Sequence, residues 1–326
     1  MTDGAAGGRS ADDLERLLLG GDPDISLAAL AEAAGLSPEV ASLFWHALGF
    51  PDTEPAGRMF TRGDKDAIVT LARLITDIGS DEEFVVGLIR AMGHQMARLA
   101  MWQVIAMVEQ MSDQAGDAET GAARAVDFLY EHVDDFGPLL VYAFRRHLAA
   151  VVKWRLDRVT EDARRMRLSV GFADMAGYTR LSRNMDPLEL ARLVNRFETV
   201  ASDVVLRQGG RVIKTVGDEI LFVSDTAIQA VDIGLDLADA MDTDPMLPQV
   251  RVGVATGEVV ARMGDVYGPT VNLASRLTSL SNPSRVLIEG NTAAAIAQAP
   301  HLEAATLGEA VLQDFGTVHM FGVRRN

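Results

Sequence analysis

Residues 168–179 have the sequence LSVGFADMAGYT, in which a short apolar run ends at Asp174 and Gly177 follows shortly after. The apolar run predicts a buried strand over residues 168–173, and the residues after it predict a turn and then the start of a helix. A carboxylate at such a strand end can bind Mg²⁺, which in proteins takes one or two carboxylates together with phosphate oxygens. An Asp that only caps a helix would have the same local sequence, so this stretch alone leaves both interpretations open.

From residue 167 onward, the apolar pattern alternates between strand and helix periods. Strands are predicted at 168–173, 211–215, 220–224, 250–255 and 285–288, with one or two more around Val311 and 318–323, and helices at 187–206, 227–241 and 269–280. The first six elements follow the order β-α-β-β-α-β, which is typical of a ferredoxin-like core. We therefore expect an α+β domain with this core over residues 167–326.

Two further acidic residues lie in the predicted hairpin between the second and third strands. The sequence KTVGDE at residues 214–219 places Asp218 and Glu219 after a glycine, which allows the backbone angles of a tight turn. Gly-Asp in a hairpin is by itself only a turn signal. Together with Asp174, however, these acids would provide the paired carboxylates of a two-metal phosphoryl-transfer site.

A third motif combines an acid, an amide and a guanidinium. Residues 265–276 have the sequence DVYGPTVNLASR, in which Pro269 is suited to the first turn of a helix. Asn272 and Arg276 are four positions apart and therefore share one helix face. Such a donor pair suits a charged phosphoryl transition state. Taken alone, the same pattern is better explained as a solvated helix face.

The bulk composition limits the classes of function. The chain has 326 residues, of which 48% are hydrophobic, enough for two globular domains. A net charge of −16 disfavours nucleic-acid binding, because the phosphodiester backbone is also anionic. There is no cysteine, no signal-peptide pattern and no apolar run of about 18 residues. We expect a cytoplasmic protein without disulfides or a transmembrane segment.

The first half of the chain is predicted to be helical. Helices are expected near residues 28–48, 61–75, 81–111, 122–133 and 139–166, with breaks at 116–121 and at Gly137-Pro138. This pattern predicts an all-α domain over residues 1–150 and a linker helix over residues 151–166, followed by the α+β domain at 167–326.

Two features of the helical half admit alternatives. The spacing at residues 28–48 is compatible with a DNA-binding helix–turn–helix, but residues 26–64 contain five acidic residues against two arginines. Helix packing is therefore the better explanation. The long helix also has a recurring set of methionines, which indicates a packed core, with a lipid pocket as the alternative. These are Met92, Met96, Met101, Met107 and Met111.

Together, the three motifs of the second half resemble the catalytic domain of the class III nucleotidyl cyclases, over residues 167–326. The resemblance implies roles for seven residues. Asp174 and Asp218, with Met175 beside them, match the metal-binding set; Lys214 and Asp265 match the pair that recognises adenine; Asn272 and Arg276 match the pair that stabilises the transition state.

The resemblance also implies a reaction. ATP would be converted to 3′,5′-cyclic AMP and pyrophosphate, with two Mg²⁺ or Mn²⁺ ions in each active site. Family members draw the metal-binding pair from one subunit and the other four residues from its partner, which implies a homodimer. Guanylyl members usually have an acidic and a small residue in place of Lys214 and Asp265, so ATP is the expected substrate rather than GTP.

Two other functions remain as alternatives. A diguanylate cyclase has a hairpin similar to residues 217–219, but Val216 stands where that family has glycine, and Asn272 and Arg276 would have no role. A catalytically silent regulator would not need both metal-binding aspartates.

Two departures from the family pattern are also present. Pro269-Thr270 replaces the Asp-Ala that is common elsewhere in the family. No residue is evident for the terminal phosphates, for which Arg211, Arg324 and Arg325 are the candidates.

The first half is similar, more loosely, to the helical regulatory domain of actinobacterial cyclases that respond to pH or fatty acid. The supporting segments are LAEAAGL at residues 30–36 and LGFP at residues 48–51. This resemblance implies regulation by a small molecule, a lipid or protons. His94, His132 and His147 lie on predicted helices, and histidine titrates in the physiological range.

Overall fold

The computed structural model describes residues 9–51, 57–79, 82–156, 165–262 and 264–326. The chain divides into two compact units, Met1–Asp157 and Arg158–Asn326. Each unit is described by itself.

The described part of the first unit is mainly helical. Its helices are α1 (Ala11–Leu19), α2 (Leu27–Ala34), α3 (Pro38–Ala47), α4 (Arg62–Ile78), α5 (Glu82–Ala115) and α6 (Ala118–Leu156), and its strands are β1 (Ile25–Ser26) and β2 (Arg58–Phe60). The two short strands pair antiparallel and were not expected in an all-α domain. Phe44 and Phe60 are fully buried at the centre of this unit.

Local signals explain where several of these helices begin. Ser37 caps α3 by accepting a hydrogen bond from the Val40 N–H, and Pro38 occupies the first helical position. Thr61 and Asp64 form the predicted capping box of α4, with the Thr61 N–H donating to Asp64 Oδ2 at 2.8 Å. Helices α2 and α3 meet at 99°, as in a helix–turn–helix.

The predicted break at Gly137-Pro138 is wrong, because α6 continues through Pro138 to Leu156. Beyond that point, residues 157–164 of the predicted linker helix lie outside the described residues, and Arg165 and Met166 belong to a strand. A proline in a helix interior removes one backbone hydrogen bond and crowds the preceding turn. Helix α6 as a whole packs against α5 and α1, and such packing, rather than local preference, supplies most of a helix's stability.

The methionines of α5 are not a packed core as predicted. Met92, Met96 and Met101 are each about half exposed or more. Met107 and Met111 line an apolar cavity between α5 and α6, of about 450 Å³, and Met92 lines a second cavity, of about 590 Å³, together with residues of α2, α3 and α4. Much of the surface of this 34-residue helix is therefore exposed among the described residues.

Among the described residues, no single helix has the length and hydropathy needed to cross a membrane; the bent pair α2 and α3 meets those two criteria only jointly.

The second unit is built on a mixed sheet with helices on both faces. Its strands are β3 (Arg165–Met175), β4 (Arg211–Val216), β5 (Glu219–Ser224), β6 (Val250–Arg262), β7 (Asp265–Tyr267), β8 (Arg285–Glu289), β9 (Leu302–Leu312) and β10 (Gly316–Arg325). Its helices are α7 (Tyr178–Ser182), α8 (Pro187–Arg207), α9 (Ala227–Thr243), α10 (Pro269–Leu280) and α11 (Gly290–Ile296).

The strand order is β4-β5-β3-β6-β8-β10-β9, with β7 paired to β6. The first four strands in this order, connected through α8 and α9, form the ferredoxin-like arrangement that was predicted. Strands β3 and β6 extend beyond their predicted ends. The whole of β3 pairs with β6, and the last residues of β6 pair with β7. The sequence pattern did not reveal β7 or α11, whereas α7 begins directly after the turn that follows Asp174, where the start of a helix was predicted.

Helices cover the two faces of β6 at adjacent residues. Val252 contacts α9 at Gly234, whereas a Cβ on Gly253 would lie 2.6 Å from the Ala274 carbonyl oxygen of α10. Successive strand residues point to opposite faces, so α9 and α10 lie on opposite sides of the sheet. Only glycine at position 253 lets α10 approach this closely. This close packing determines the position of α10 on the sheet.

Candidate active site

Three acidic side chains converge at one end of β3. Asp174 lies next to last in β3, directly opposite Glu219 of β5 in the strand register. Asp218 occupies the turn between β4 and β5, where Gly217 adopts a φ of 62°. The Met175 N–H donates to the Asp218 carbonyl oxygen at 3.0 Å and thereby ties the turn to the end of β3. The structure thus brings Asp174 and Asp218 together, as the sequence motifs predicted.

The charges of this cluster repel one another. The pKa of Asp174 is raised because burial disfavours its ionised form; Arg251 opposes this rise, and Asp218 adds to it. Burial, together with the charges of Asp174 and Asp218, raises the pKa of Glu219 to about 7. Lys214 acts in the opposite direction on Glu219. A cation placed among these carboxylates would relieve the repulsion.

The donor set fits a divalent cation that is shared with a ligand. Among the described residues, no group of three or more His, Cys, Asp or Glu side chains has the geometry to hold a metal ion. Two aspartates with open coordination positions match Mg²⁺ or Mn²⁺, which retain places for water and phosphate oxygens. Met175 differs from Asp174 and Asp218. Its side chain is fully buried in the apolar core, and only its backbone lies at the site.

Arg251 is a residue of this site that the sequence motifs did not reveal. It lies on β6 directly opposite Asp174, and its guanidinium donates to the Asp174 carboxylate. Its Nε is buried and has no hydrogen-bond partner. The available signal was a single arginine within the otherwise apolar run of residues 250–255. An unpaired donor beside two acids indicates that a further acceptor belongs here.

Lys214 and Asp265 form an ion pair on the edge of the same sheet. The distance between Lys214 Nζ and Asp265 Oδ2 is 2.6 Å, although the two residues are far apart in sequence. The Val266 N–H donates to the other oxygen, Asp265 Oδ1, at 2.8 Å. Asp265 is mostly buried and Lys214 is half-exposed, so the pair keeps polar atoms accessible. Strand β7, which was not predicted, is what places Asp265 beside β4.

Asn272 and Arg276 lie on the exposed face of α10. Gly268, with a φ of 129°, precedes the helix, and Pro269 occupies its first position. Within the described chain, neither Asn272 nor Arg276 has a side-chain hydrogen bond or ion pair. Two donors held on a rigid helix with no partner remain available to a ligand or to a second chain.

The three arginines considered for the terminal phosphates are held by carboxylates instead. Arg211 pairs with Asp225 at 3.1 Å, and Arg324 pairs with Glu303 at 2.6 Å. Arg325 contacts the acidic face of α9, with Nη1 2.9 Å from Asp239 Oδ2. Nothing in this geometry supports a phosphate role for them, whereas Arg251 lies at the acidic cluster itself.

The histidines of the first unit do not form a cluster. His94 and His147 are exposed, and His132 Nδ1 lies 3.4 Å from Asp135 Oδ2 and against the ring of Phe128. Proton sensing by these residues stays a prediction.

Comparison with known proteins identifies the family. Residues 161–324 match the family model described as the adenylate and guanylate cyclase catalytic domain. An adenylate cyclase of Streptomyces coelicolor is 41% identical over 85% of this chain and 72% of its own length. An adenylate cyclase of Glutamicibacter nicotianae is 36% identical over 86% of this chain and 73% of its own length.

Two further proteins are also similar to this chain. A protein of Mycobacterium tuberculosis named pH-sensitive adenylate cyclase is 27% identical over 95% of this chain and 81% of its own length. Among solved structures, the adenylyl cyclase CyaB from P. aeruginosa aligns with 50% of this chain and 95% of its own, at 25% identity and a TM-score of 0.45.

The chain belongs to the adenylate and guanylate cyclase family, known as the class III cyclases, and is an enzyme of that family. This confirms the resemblance and the fold class that the sequence motifs predicted.

Proposed function

We propose that this protein is an adenylate cyclase that converts ATP to 3′,5′-cyclic AMP and pyrophosphate, in a homodimer whose active sites are shared between two chains. The observation that supports this substrate best is the ion pair between Lys214 and Asp265. The two relatives with the highest identity reported above are also named adenylate cyclase.

The base preference follows from the hydrogen-bonding groups of this pair. Adenine presents an amino group that donates and a ring nitrogen that accepts. Asp265 can accept from the amino group, and Lys214 retains N–H donors for the ring nitrogen after bonding to Asp265. Guanine presents the opposite pattern at the corresponding atoms, so both contacts would be lost. Their mutual ion pair holds the two side chains in place before the base arrives.

The acidic cluster is the proposed metal site. Asp174 and Asp218 would hold two Mg²⁺ or Mn²⁺ ions, with the backbone of Met175 alongside. Bound there, the ions would lower the pKa of the ribose 3′-hydroxyl and offset the charge of the triphosphate. The observation that supports this assignment is the half-buried position of Asp174 beside Asp218, where burial and then the neighbouring carboxylate raise the pKa of Asp174.

Arg251 is proposed to contact the triphosphate. Its position at the cluster provides a cation where the phosphates would lie, and its buried Nε lacks an acceptor in the chain. A guanidinium is well suited to phosphate because it donates several hydrogen bonds from one plane. While it is bound to Asp174, the same side chain also orients that carboxylate.

Cyclisation forms a bond between the ribose 3′-oxygen and the α-phosphorus and breaks the bond from that phosphorus to the β-phosphate bridge. Negative charge develops on the α-phosphoryl oxygens during this displacement. Arg276 is proposed to stabilise that charge and Asn272 to orient the ribose. Both side chains are exposed and unpaired among the described residues, which suits a role completed by a second chain.

The first unit is proposed to regulate the second. The similarity to the pH-sensitive relative extends over 95% of this chain and therefore includes the helical unit. The regulator is a proton, a lipid or a small molecule. Cyclase activity of the full-length protein and of residues 167–326, compared over pH 5.5–8, tests regulation by protons.

The reaction is tested with the full-length protein, incubated with ATP or GTP in the presence of Mn²⁺. We expect cyclic AMP from ATP and little cyclic GMP or cyclic di-GMP. A dimeric, folded protein that makes no cyclic AMP, or that prefers GTP, would contradict the proposal.

The shared site is tested by mixing two inactive variants. Asp174→Ala and Arg276→Ala alter opposite halves of a shared site, so a mixed dimer contains one intact site of two. Random pairing then restores about one quarter of wild-type activity. The matched control mixes Asp174→Ala with Asp218→Ala, which alter the same half, and we expect no restoration. Equal restoration in both mixtures, or in neither, would refute the sharing of sites.

A further inference from the structure

The second half of α6 is exposed on most sides and has one side lined by large apolar residues. Within residues 137–153, only Leu140 and Ala143 are partly buried. At 3.6 residues per turn, five large apolar side chains fall within about 100° of the helix circumference. We call these five residues the α6 apolar face, and each is about half exposed or more: Val141, Phe144, Leu148, Val151 and Val152. An apolar arc of this width is what a surface helix ordinarily buries.

The charge of this segment differs in sign from that of the whole chain. The chain contains 46 acidic and 30 basic residues, for a net charge of −16. Residues 136–156, by contrast, contain neither Asp nor Glu. The Lys and Arg residues of this segment are Arg145, Arg146, Lys153 and Arg155. A segment with charges of one sign attracts a partner of the opposite sign, so the occupant of the α6 apolar face is anionic as well as apolar.

The positions of the basic residues match a helix that lies on a membrane surface. Arg145 borders the α6 apolar face on one side, and His147 borders it on the other. Arg146 and Lys153 lie on the opposite side of the helix, which would face water. Basic side chains at the border of an apolar face can reach lipid phosphates while the face itself enters the boundary between headgroups and acyl chains. An anionic bilayer offers both kinds of contact along the whole segment.

The same charges disfavour a spanning orientation. The segment from Leu139 to Val152 is about 21 Å long, whereas the hydrocarbon core of a bilayer is about 30 Å thick. Arg145 and Arg146 lie in the middle of this segment, and a guanidinium in the hydrocarbon is costly. Among the helices that the structure describes, none meets the length and hydropathy of a spanning helix by itself. The segment is therefore suited to lie in the plane of the membrane surface.

We infer that the second half of α6 binds the surface of an anionic phospholipid membrane, with the α6 apolar face inserted at the level of the headgroups. The first half of α6 remains part of the helical unit, since Ala125 is buried there and Glu131 pairs with Arg9 at 3.1 Å. Each basic residue near an anionic surface strengthens attachment about fivefold. A few such residues and one short apolar face give a reversible attachment. This inference goes beyond the proposed synthesis of cyclic AMP and does not rest on it.

Vesicles of two compositions test this attachment. The full-length protein is mixed with vesicles of phosphatidylcholine alone, or of phosphatidylcholine with about one third phosphatidylglycerol, and the vesicles are separated by flotation. We expect binding to the anionic vesicles to be about tenfold stronger or more, and to be lost in about 0.5 M salt, which screens the surface charge. No binding to the anionic vesicles, or equal binding to both compositions, would overturn the inference.

Matched variants test which residues are responsible. Phe144→Glu places a charge in the α6 apolar face, and Leu139→Glu places the same charge on the far side of the helix, at 67% and 61% exposure respectively. Affinity for the anionic vesicles should fall about tenfold or more for Phe144→Glu and stay within about twofold for Leu139→Glu. Arg145→Glu should also weaken binding, whereas Arg73→Glu, on the exposed surface of α4, should weaken it far less. Equal effects within either pair would contradict the assignment of this face.

A fluorescent label distinguishes a membrane from a protein occupant, because the natural chain contains no cysteine to compete for labelling. Leu148→Cys and Leu139→Cys are each labelled with an environment-sensitive fluorophore. Anionic vesicles should shift the emission to the blue at position 148 and leave it unchanged at position 139. A label at position 148 that is already shielded without vesicles, in proportion to protein concentration, would assign the face to another protein chain and overturn the inference. None of these measurements requires ATP, so their failure would leave the proposed cyclase function untouched, and loss of cyclase activity would leave membrane binding untouched.

Discussion

Lys214 on β4 and Asp265 on β7 are joined by an ion pair of 2.6 Å at the edge of the catalytic sheet. Strand β7 has only three residues and pairs with the far end of β6. The position of Asp265 beside Lys214 therefore depends on the length of β6, which extends beyond its apolar run to Arg262. A hydrogen bond from the Val266 N–H holds the second oxygen of Asp265.

Replacing this pair should change the base preference. In Lys214→Glu/Asp265→Ser, the acid can accept from the N–H groups of guanine and the hydroxyl can donate to its carbonyl oxygen. We expect the ATP turnover to fall at least about a hundredfold, because two matched contacts are replaced by mismatched ones. The ratio of GTP to ATP turnover should rise. Initial rates with each nucleotide and Mn²⁺ give this ratio. The control is Lys65→Glu, a charge reversal on the exposed surface of α4, which should leave the ratio unchanged.

Asp174→Asn tests the metal site with little change in shape. The variant removes the charge that the cation needs, so cyclase activity should fall about a thousandfold or more. Binding of Mn²⁺ in the absence of nucleotide, followed by electron paramagnetic resonance, should weaken in parallel. The unfolding midpoint should not fall, because the raised pKa of Asp174 shows that burial of its charge, with the repulsion from Asp218, outweighs the attraction to Arg251, and a neutral amide avoids both costs. Retained activity would refute the metal assignment.

Two arginines should respond differently to the same truncation. Arg251→Ala removes a cation from the acidic cluster, and we expect kcat/KM for ATP to fall about tenfold to a hundredfold. Arg325→Ala should leave kcat/KM unchanged and lower stability by about 1 kcal/mol, because its partners are carboxylates of α9. Steady-state kinetics and denaturation of both variants make the comparison. Equal kinetic losses would contradict the distinction between them.

Local patterns were enough to predict some parts of the molecule. The bounds of α10, Pro269–Leu280, agree with the prediction, because a proline at the start and a regular apolar period act within the helix itself. The ends of β3 and β6 were not predictable in this way. Their outer residues, such as Arg262, become strand through pairing with a neighbour that is distant in sequence or too short to recognise.

The site residues that were predicted have local sequence signals, whereas the one that was missed depends on pairing with a distant strand. Asp174 and Asp218 lie at a strand end and in a turn, where sequence signals are strong. Arg251 lies inside a strand and becomes part of the site only because β6 pairs with β3 in a register that places it opposite Asp174. Likewise, the exposure of Met92 on α5 depends on how far α3 and α6 extend over that helix, which hydrophobic periodicity does not report.

A buried polar network that joins β6, β8 and α11 should contribute to stability. Glu289 is buried and accepts hydrogen bonds from the Thr292 hydroxyl at 2.6 Å and from the Thr256 N–H at 3.2 Å. Thr292→Val keeps the shape and leaves Glu289 without one donor, which should cost about 1–3 kcal/mol. Calorimetry of the catalytic transition measures this cost. Thr243→Val, which loses a hydrogen bond at an exposed helix end, should cost less than half as much, and equal costs would argue against a role for burial.

Pro138→Ala should stabilise the first unit, because α6 continues through this residue without a break. Alanine restores a backbone N–H for the Asp134 carbonyl and removes the ring that crowds the preceding turn. Proline inside a helix costs about 3 kcal/mol relative to alanine, and the greater freedom of the unfolded alanine chain offsets part of that, so we expect a gain of about 1–2 kcal/mol. The three tryptophans all lie before residue 158, so their fluorescence during urea unfolding reports on this unit alone.

The matched control for Pro138→Ala is Pro38→Ala in the same unit. Pro38 occupies the first position of α3, where no intrahelical hydrogen bond is missing and the fixed backbone angle is favourable. We expect no gain from this variant, and a loss of up to about 0.5–1 kcal/mol through the freer unfolded chain. An equal gain at both positions would show that removing any proline has the same effect. No gain at Pro138 would contradict the prediction and would show that the missing hydrogen bond at this position has no net cost.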